Sequence, residues 1–413
     1  MISRKIKPEE LKRTNELFAI AFEFETDNTR SATQVYEDAI THPQTREDAY
    51  PGEKWAAFEE DNATMMSCFS AIPYPIHFDA HHCTMVGIGG VASLPQYRRR
   101  GGIRSCFEAA LPDMYAHDAA FSYLYPFSTA YYRKFGYEMC CERLHYQIRL
   151  DAVPQFCVTG DCILLEQELI QKDGSILASV KQVYEVWQHR YNLMVENESY
   201  EYAWVSKSNP PKDQCFSYLY KDHTGVAKGY LSFAKKDEVN GRNLVCSRFV
   251  FTDVEGFLGL MNLVRSYGSD HQYISFELPT DQVISALLPE WSMGAGTCSK
   301  AYAGMVRVIN VAKVLKMAAY HGSGNLSIQI SDAFIPQNNH TFLVTFENGS
   351  AIDVSATDQP FDIALGIGDF SRLIVGAYDA ASIAFMPLAQ INTDLEKLAK
   401  VFYTKPTLLT EYF

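Results

Sequence analysis

Apolar side chains recur along this chain with two periods, and the places where one gives way to the other outline its elements. After Pro8, the residues Leu11, Leu17, Phe18, Ala21 and Phe22 fall at helical spacing, and the polar stretch 26–52 reads as helix and loop. Strand-type runs follow at 55–58, 65–78 and 85–93, with turns at Glu60-Asp61-Asn62 and His81-His82, which predicts an antiparallel meander. The period changes again after Leu94-Pro95-Gln96-Tyr97, where Ile103, Cys106, Phe107, Ala110, Leu111 and Met114 share one helical face. An apolar strand over 120–125 and a short helix over 128–135, ending at Gly136, complete this part. The strands flanking the amphipathic helix should then lie parallel, joined by it as a crossover.

Residues 155–300 repeat that order: a helix at 177–191, strands at 215–220, 229–234 and 244–251, a helix at 254–267, a strand at 273–278 and a helix at 281–288. The duplication is of architecture rather than of sequence. From about 302, alternation at Leu326, Ile328 and Ile330 and at Phe342, Val344 and Phe346, with the turn Asn348-Gly349, predicts an antiparallel sheet. Helices are expected near 370–378 and 392–403. The picture is a mixed α+β chain with three cores, bounded at 1–152, 153–298 and 299–413.

Composition narrows the class. With 47% hydrophobic and 21% charged residues, disorder and collagen-like structure are excluded. A net charge of −13 disfavours nucleic acid as a partner and suits cationic small molecules or basic peptides. The ten cysteines contain no Cys-x-x-Cys pair, and the adjacent Cys140 and Cys141 cannot make an ordinary bridge; they read as reduced, mostly buried thiols. The basic start runs into Pro8-Glu9-Glu10 where a signal peptide needs an apolar core, and the most apolar stretch, 373–389, is interrupted by Asp379. A soluble, cytoplasmic protein without a membrane partner is expected.

The run Arg98-Arg99-Arg100-Gly101-Gly102, placed between a strand and a helix, has the makings of an anion site. Glycines allow close backbone approach, the first helical N–H groups lack internal partners, and the helix dipole favours negative charge there. Arginines at the rim add charge-assisted bonds. The run has neither the Lys-Ser/Thr ending of a nucleoside-triphosphate loop nor the dinucleotide-binding glycine spacing. The second copy carries Thr252-Asp253-Val254-Glu255-Gly256 at the same place.

The segment from Val91-Ala92-Ser93 through Gly102, followed by Tyr131-Tyr132-Arg133-Lys134-Phe135-Gly136-Tyr137, resembles the GNAT family of N-acetyltransferases. The first stretch is similar to that family's pyrophosphate loop, and the second to the Tyr-x-x-x-Gly-Tyr/Phe ending after its cofactor strand. The plan of the whole chain resembles the Eis (enhanced intracellular survival) group, in which a catalytic GNAT domain precedes a degenerate GNAT domain and a sterol-carrier-like domain. Ile103 departs from the small residue usual at the end of the loop, as it does in that group.

The resemblance implies acetyl-CoA as co-substrate, no metal, and a primary amine on an aminoglycoside-like polycation or a lysine as acceptor. It implies that the backbone of Val91, Ala92 and Ser93 holds the acetyl and pantetheine groups. Arg99, Arg100, Gly101, Gly102, Ile103 and Arg104 would bind the pyrophosphate, with Phe127 and Ser128 on the cofactor's other side. Tyr132 would protonate the departing thiolate, with Tyr131 as its rival, and the terminal carboxylate of Phe413 would act as base. A homohexamer is implied as well. An acyl-CoA- or lipid-binding regulator without catalysis is the alternative; Tyr132 and the intact loop argue against it. Several other groups read as structural. His81, His82 and Cys83 are consecutive and cannot face one ion in a strand, and Cys106 lies on the apolar helix face. Glu23, Glu25 and Asp27 read as a solvated loop rather than the lining of an amine cleft. The C-terminal sheet reads as a support for Phe413 rather than a lipid carrier.

Overall fold

The computed structural model describes residues 1–26, 29–41, 43, 45–239, 241–288, 290–291 and 294–411. Two compact units emerge: Met1–Cys141 with Asn192–Val195 and Ala303–Phe413, and Glu142–Tyr191 with Glu196–Tyr302.

The first unit begins with β1 (Ile2–Lys5), α1 (Leu11–Phe22), α2 (Ala32–Thr41), α3 (Arg46–Ala49), β2 (Lys54–Phe58), β3 (Met65–Phe78) and β4 (His81–Ser93). There follow α4 (Gly102–Ala116), β5 (Phe121–Leu124), α5 (Thr129–Arg133) and β6 (Glu138–Met139). Strands β1 to β4 form the antiparallel meander, and β4 and β5 run parallel as the crossover requires. Period two in β2 sorts its side chains by face. Ala56 and Phe58 pack with Leu17 and Phe18 of α1, while Trp55 and Ala57 pack with Ile103 and Phe107 of α4. Helices thus cover both faces, which is why nearly all of β3 is buried.

The β3–β4 turn is Asp79-Ala80 rather than His81-His82, with both residues left-handed at φ 45° and 66°. Tertiary partners hold Asp79 there. Its N–H donates to Asn192 Oδ1, and its carboxylate accepts from Asn192 Nδ2, the Ala319 N–H and the Lys405 ammonium.

The second unit comprises β7 (Glu142–Arg149), β8 (Asp161–Leu164), α6 (Gln167–Lys172), α7 (Ser175–Gln188), α8 (Ala203–Ser206) and α9 (Pro210–Asp213). It continues through β9 (Cys215–Lys221), β10 (Ala227–Glu238), β11 (Gly241–Phe251), α10 (Val254–Arg265), β12 (Tyr273–Pro279) and β13 (Gly296–Tyr302). Its sheet runs β13-β7-β12-β11-β10-β9-β8, with β11 and β12 parallel, the arrangement of the first sheet over again. The helix expected at 281–288 is only the 3-10 turn Ile284–Leu287. Only nine residues separate Pro279 from Pro289, and the second proline disfavours helical geometry at the residue before it.

The chain then returns to the first unit with β14 (Met305–Val308), which lies between β5 and β6 and is antiparallel to both. After it come α11 (Val311–Met317), β15 (Gly324–Ser331), β16 (Thr341–Glu347), β17 (Ser350–Thr357), β18 (Ile363–Gly366), α12 (Ile367–Ile374), β19 (Gln390–Ile391) and α13 (Leu395–Ala399). The alternating residues of β15 and β16 pack with Leu373 and Ile374 of α12. To the expected antiparallel strands the fold adds β18, parallel to β15. The helix expected over 392–403 shrinks to α13: Ile391 pairs with Ile363, the Asn392 N–H donates to the Asp362 carbonyl, and Asp394 caps the helix by accepting from the Lys397 N–H.

Candidate cofactor and catalytic site

The parallel ladder between β4 and β5 ends at Ile88 opposite Leu124, while β4 continues to Ser93. On its other side β4 is bulged: Cys68 pairs with Ala92 and Ser70 with Gly89, so Gly90 and Val91 together face Phe69. Gly90 is left-handed at φ 59°, and a Cβ there would sit 2.8 Å from the Phe18 ring. The bulge turns the backbone of Val91, Ala92 and Ser93 away from β5, leaving a strand edge onto which an extended chain can be added.

Beyond β4 the chain makes a 3-10 turn at Pro95–Tyr97, passes Arg99 in a left-handed conformation (φ 65°), and starts α4 from Gly101 at φ 86°. No side chain caps this N-terminus and its first turn holds no acidic residue. Gly102 must lack a side chain, because a Cβ would lie 2.5 Å from Ser67 Oγ, which is itself bonded to Ser93 Oγ. Arg98, Arg99 and Arg100 are exposed. Among the described residues none of the three is paired with a carboxylate. Arg104 is partly engaged, pairing with Glu108 at 2.9 Å and lying over the Phe334 ring. The Ile103 side chain is buried in the core with Phe107, so this residue can offer the loop only its backbone. Open N–H groups, free cations and absent side chains make a donor set that suits a diphosphate.

The equivalent helix of the second unit is closed to such a ligand. Asp253 caps α10 by accepting from the Gly256 N–H at 2.9 Å, and the same carboxylate pairs with Lys228. A carboxylate already occupies the position an anion would take.

Helix α5 is capped by Ser128, whose hydroxyl accepts from the Tyr131 N–H, so that side chain is spent on the helix. Phe127, just before it, is 73% exposed, and its ring lies 5.4 Å from those of both Tyr131 and Tyr132. Tyr132 is only 2% exposed, and among the described residues its hydroxyl has no hydrogen-bond partner. Burial, with Tyr131 and Tyr137 alongside, pushes the Tyr132 phenol well above its ordinary value. Burial also raises Tyr131, which is half-buried. Both phenols are therefore proton donors rather than bases. Cys106 is fully buried in the core and its thiol is pushed up to about 12, which removes it as a nucleophile.

Phe413 lies outside the described residues. Residues 405–409 form a strap: Lys405 N–H donates to the Gly376 carbonyl, Asn192 N–H to Pro406, Leu408 N–H to Asn192, and the Tyr125 hydroxyl to Leu409. Tyr125 directly follows β5, so the strap runs to the open end of the β4–β5 pair. Glu23 and Glu25 are exposed after α1, beside exposed Phe22 and Phe24, and Asp27 lies outside the described residues. His82 lies across the β3–β4 hairpin from His77, their rings 4.4 Å apart.

One group escaped the sequence reading. Glu47 of α3 accepts from Ser70 Oγ at 2.8 Å and pairs with the buried Lys54, next to the bulged strand. Burial would raise its carboxyl, but Lys54 and the Ser70 hydroxyl outweigh that and hold it below the usual range. The only local sign of this residue was its place in the Thr45-x-x-Asp48 capping box, which says nothing about chemistry.

Comparison with known proteins bears on the fold and the domain types. The acetyltransferase (GNAT) domain model matches residues 3–140, and the sterol carrier protein domain model matches residues 311–409. A probable N-acyltransferase from Enterococcus faecalis V583 shares the fold at a TM-score of 0.82 and 22% identity, over 100% of both chains. A GCN5-related N-acetyltransferase from Anabaena variabilis does so at 0.82 and 17%, again over 100% of both. Eis1 from Mycobacterium abscessus matches over 100% of both chains at 0.77 and 15%. None of the curated proteins matches the sequence. Among the described residues no helix is long and apolar enough to cross a membrane. The tandem, mixed α/β architecture is thus Eis-like over the full length of the chain.

Proposed function

We propose that this acyltransferase of the GNAT type moves acetyl from acetyl-CoA to a primary amine of an aminoglycoside-like polycation or a lysine, by direct attack through a tetrahedral intermediate. The observation that carries the reading is the uncapped N-terminus of α4, ringed by Arg98, Arg99 and Arg100 at the end of a bulged strand. In this reading residues 99–104 take the diphosphate, and Val91, Ala92 and Ser93 take pantetheine as an added strand. A backbone N–H at Val91 stabilises the oxyanion.

The amine must be neutral to attack a thioester, so its proton needs an acceptor. The Phe413 carboxylate is assigned that part. The leaving thiolate takes its proton from Tyr132. Burial keeps this phenol protonated through the physiological range, so it can donate a hydrogen bond to the sulfur as the carbon–sulfur bond breaks and then pass its proton to the departing thiolate. The net charge of −13 favours approach of a cationic acceptor.

The test is release of free thiol from acetyl-CoA in the presence of aminoglycosides, polyamines and lysine peptides. Tyr132→Phe should lose about 10²–10⁴-fold of that rate while still binding CoA. Absence of thiol release with every amine in the panel would refute the reading.

A further inference from the structure

Strand β14 brings an arginine into the interior directly beneath the helix that bears Tyr132. Arg307 and Asp332 are both 0% exposed in their side chains and pair at 2.6 Å. Replacing such a pair by apolar residues is often neutral or stabilising, so burial alone gives it no reason to exist. Its hydrogen bonds supply one. Arg307 Nε donates to the Phe135 carbonyl at 2.8 Å, and Nη1 donates to Val308. Phe135 N–H in turn donates to the Tyr132 carbonyl at 2.9 Å, which also receives the Tyr137 N–H. The guanidinium therefore sits at the C-terminal end of α5, two hydrogen bonds from the backbone of Tyr132, where a positive charge complements the helix dipole.

The other half of the pair braces the cofactor side. Asp332 Oδ1 accepts from Phe334 and Ile335 N–H, and Oδ2 accepts from Asn338 Nδ2. This sets the Phe334 ring 5.8 Å from Phe135 and 5.7 Å from the Arg104 guanidinium carbon. One buried ion pair thus ties α5, which presents the phenol, to α4, which presents the diphosphate loop.

We infer that Arg307, with Asp332 behind it, is a positioning residue for Tyr132, fixing the phenol relative to the bound thioester. The inference rests on the acid role assigned to Tyr132 above. Lysine at 307 keeps the charge but cannot reach the Phe135 carbonyl and Asp332 together with the forked geometry of arginine. Misplacement of a reacting group by about 1 Å costs on the order of 10²-fold.

The experiment compares wild type, Tyr132→Phe, Arg307→Lys and the double variant. It uses steady-state turnover of acetyl-CoA with the fastest amine of the panel, and hydrogen exchange over residues 128–137. Arg307→Lys should lower kcat at least about tenfold with KM for acetyl-CoA changed less than about twofold, and should speed exchange in α5 about tenfold. The double variant should be no slower than Tyr132→Phe alone, because both changes disable one function. Unchanged exchange in α5, or losses that multiply in the double variant, overturns the inference. A slow Tyr132→Phe beside a fast Arg307→Lys overturns it alone, whereas wild-type turnover by Tyr132→Phe overturns the acid role itself. If Arg307→Lys does not fold, Arg307→Met with Asp332→Asn, which leaves no buried charge, takes its place under the same criteria.

Discussion

The two units present a natural experiment that a substitution at Gly101 can complete. Helix α10 begins on an acidic cap at Asp253, whereas α4 begins on Gly101 with no cap. Gly101→Asp would place a carboxylate where the diphosphate is proposed to lie, and Gly101→Asn is the matched neutral control. Both residues tolerate the left-handed conformation required by φ 86° better than other L-residues do. A carboxylate about 5 Å from one phosphate charge, at an effective dielectric of about 40 for this exposed loop, costs about 1.7 kcal/mol. That corresponds to roughly tenfold to thirtyfold weaker binding of CoA for Asp relative to Asn. Titration calorimetry with CoA at two salt concentrations measures it, and the gap should narrow as salt rises. S-acetyl-pantetheine, which lacks the diphosphate, should not distinguish the variants. Equal CoA affinity for Asp and Asn would refute the placement of the diphosphate at α4.

Three further outcomes are expected. A Gly-Ser-Gly extension after Phe413 should lower turnover about 10²-fold or more without changing Tm; unaltered turnover would remove the terminal carboxylate from the mechanism. Gly136→Ala forces a side chain onto φ 81° and sets a Cβ 2.6 Å from Ile367 Cγ2 and 3.1 Å from Arg307 Nε. It should cost about 2–3 kcal/mol in denaturant titration, and a loss under 0.5 kcal/mol would mean the α5 terminus is not held as described. The Glu47 carboxyl is held below its unfolded value of 4.5, so its contribution to stability is complete above that pH and disappears as pH falls through the folded value. Glu47→Gln should therefore flatten the decline of Tm below pH 4.5, and parallel melting curves for the two proteins would count against the Lys54–Glu47–Ser70 cluster.

Local information explains what was legible. Strands β2 to β4, helix α4 and the parallel step to β5 follow from periodicity and from one arginine-glycine turn, because each is encoded within a window of about a dozen residues. The same holds for the alternation of β15 and β16. What local pattern could not reach was decided by partners far along the chain. The turn at Asp79-Ala80 carries no glycine, and it is held by Asn192, Ala319 and Lys405, which lie more than a hundred residues away. The expected helix over 392–403 starts late because Asn392 is held by the carbonyl of Asp362, thirty residues earlier.

The site divides along the same line. From sequence alone came the loop from Arg98 to Gly102, the phenols at Tyr131 and Tyr132, and the absence of such a loop in the second copy. These reside in contiguous residues whose chemistry depends on backbone conformation and residue type. Only the tertiary structure supplied Glu47 beside Ser70, the strap that carries residues 405–409 to Tyr125, and Arg307 under α5. Met305-Val306-Arg307-Val308 is a four-residue apolar run with one cation, and nothing in it says which strand it will join. Pairing between β5 and β6 follows from filling a gap in a sheet built about 180 residues earlier, and the burial of its arginine follows from that position. Non-local pairing and desolvation are properties of the assembled chain, so they become visible only once it has folded.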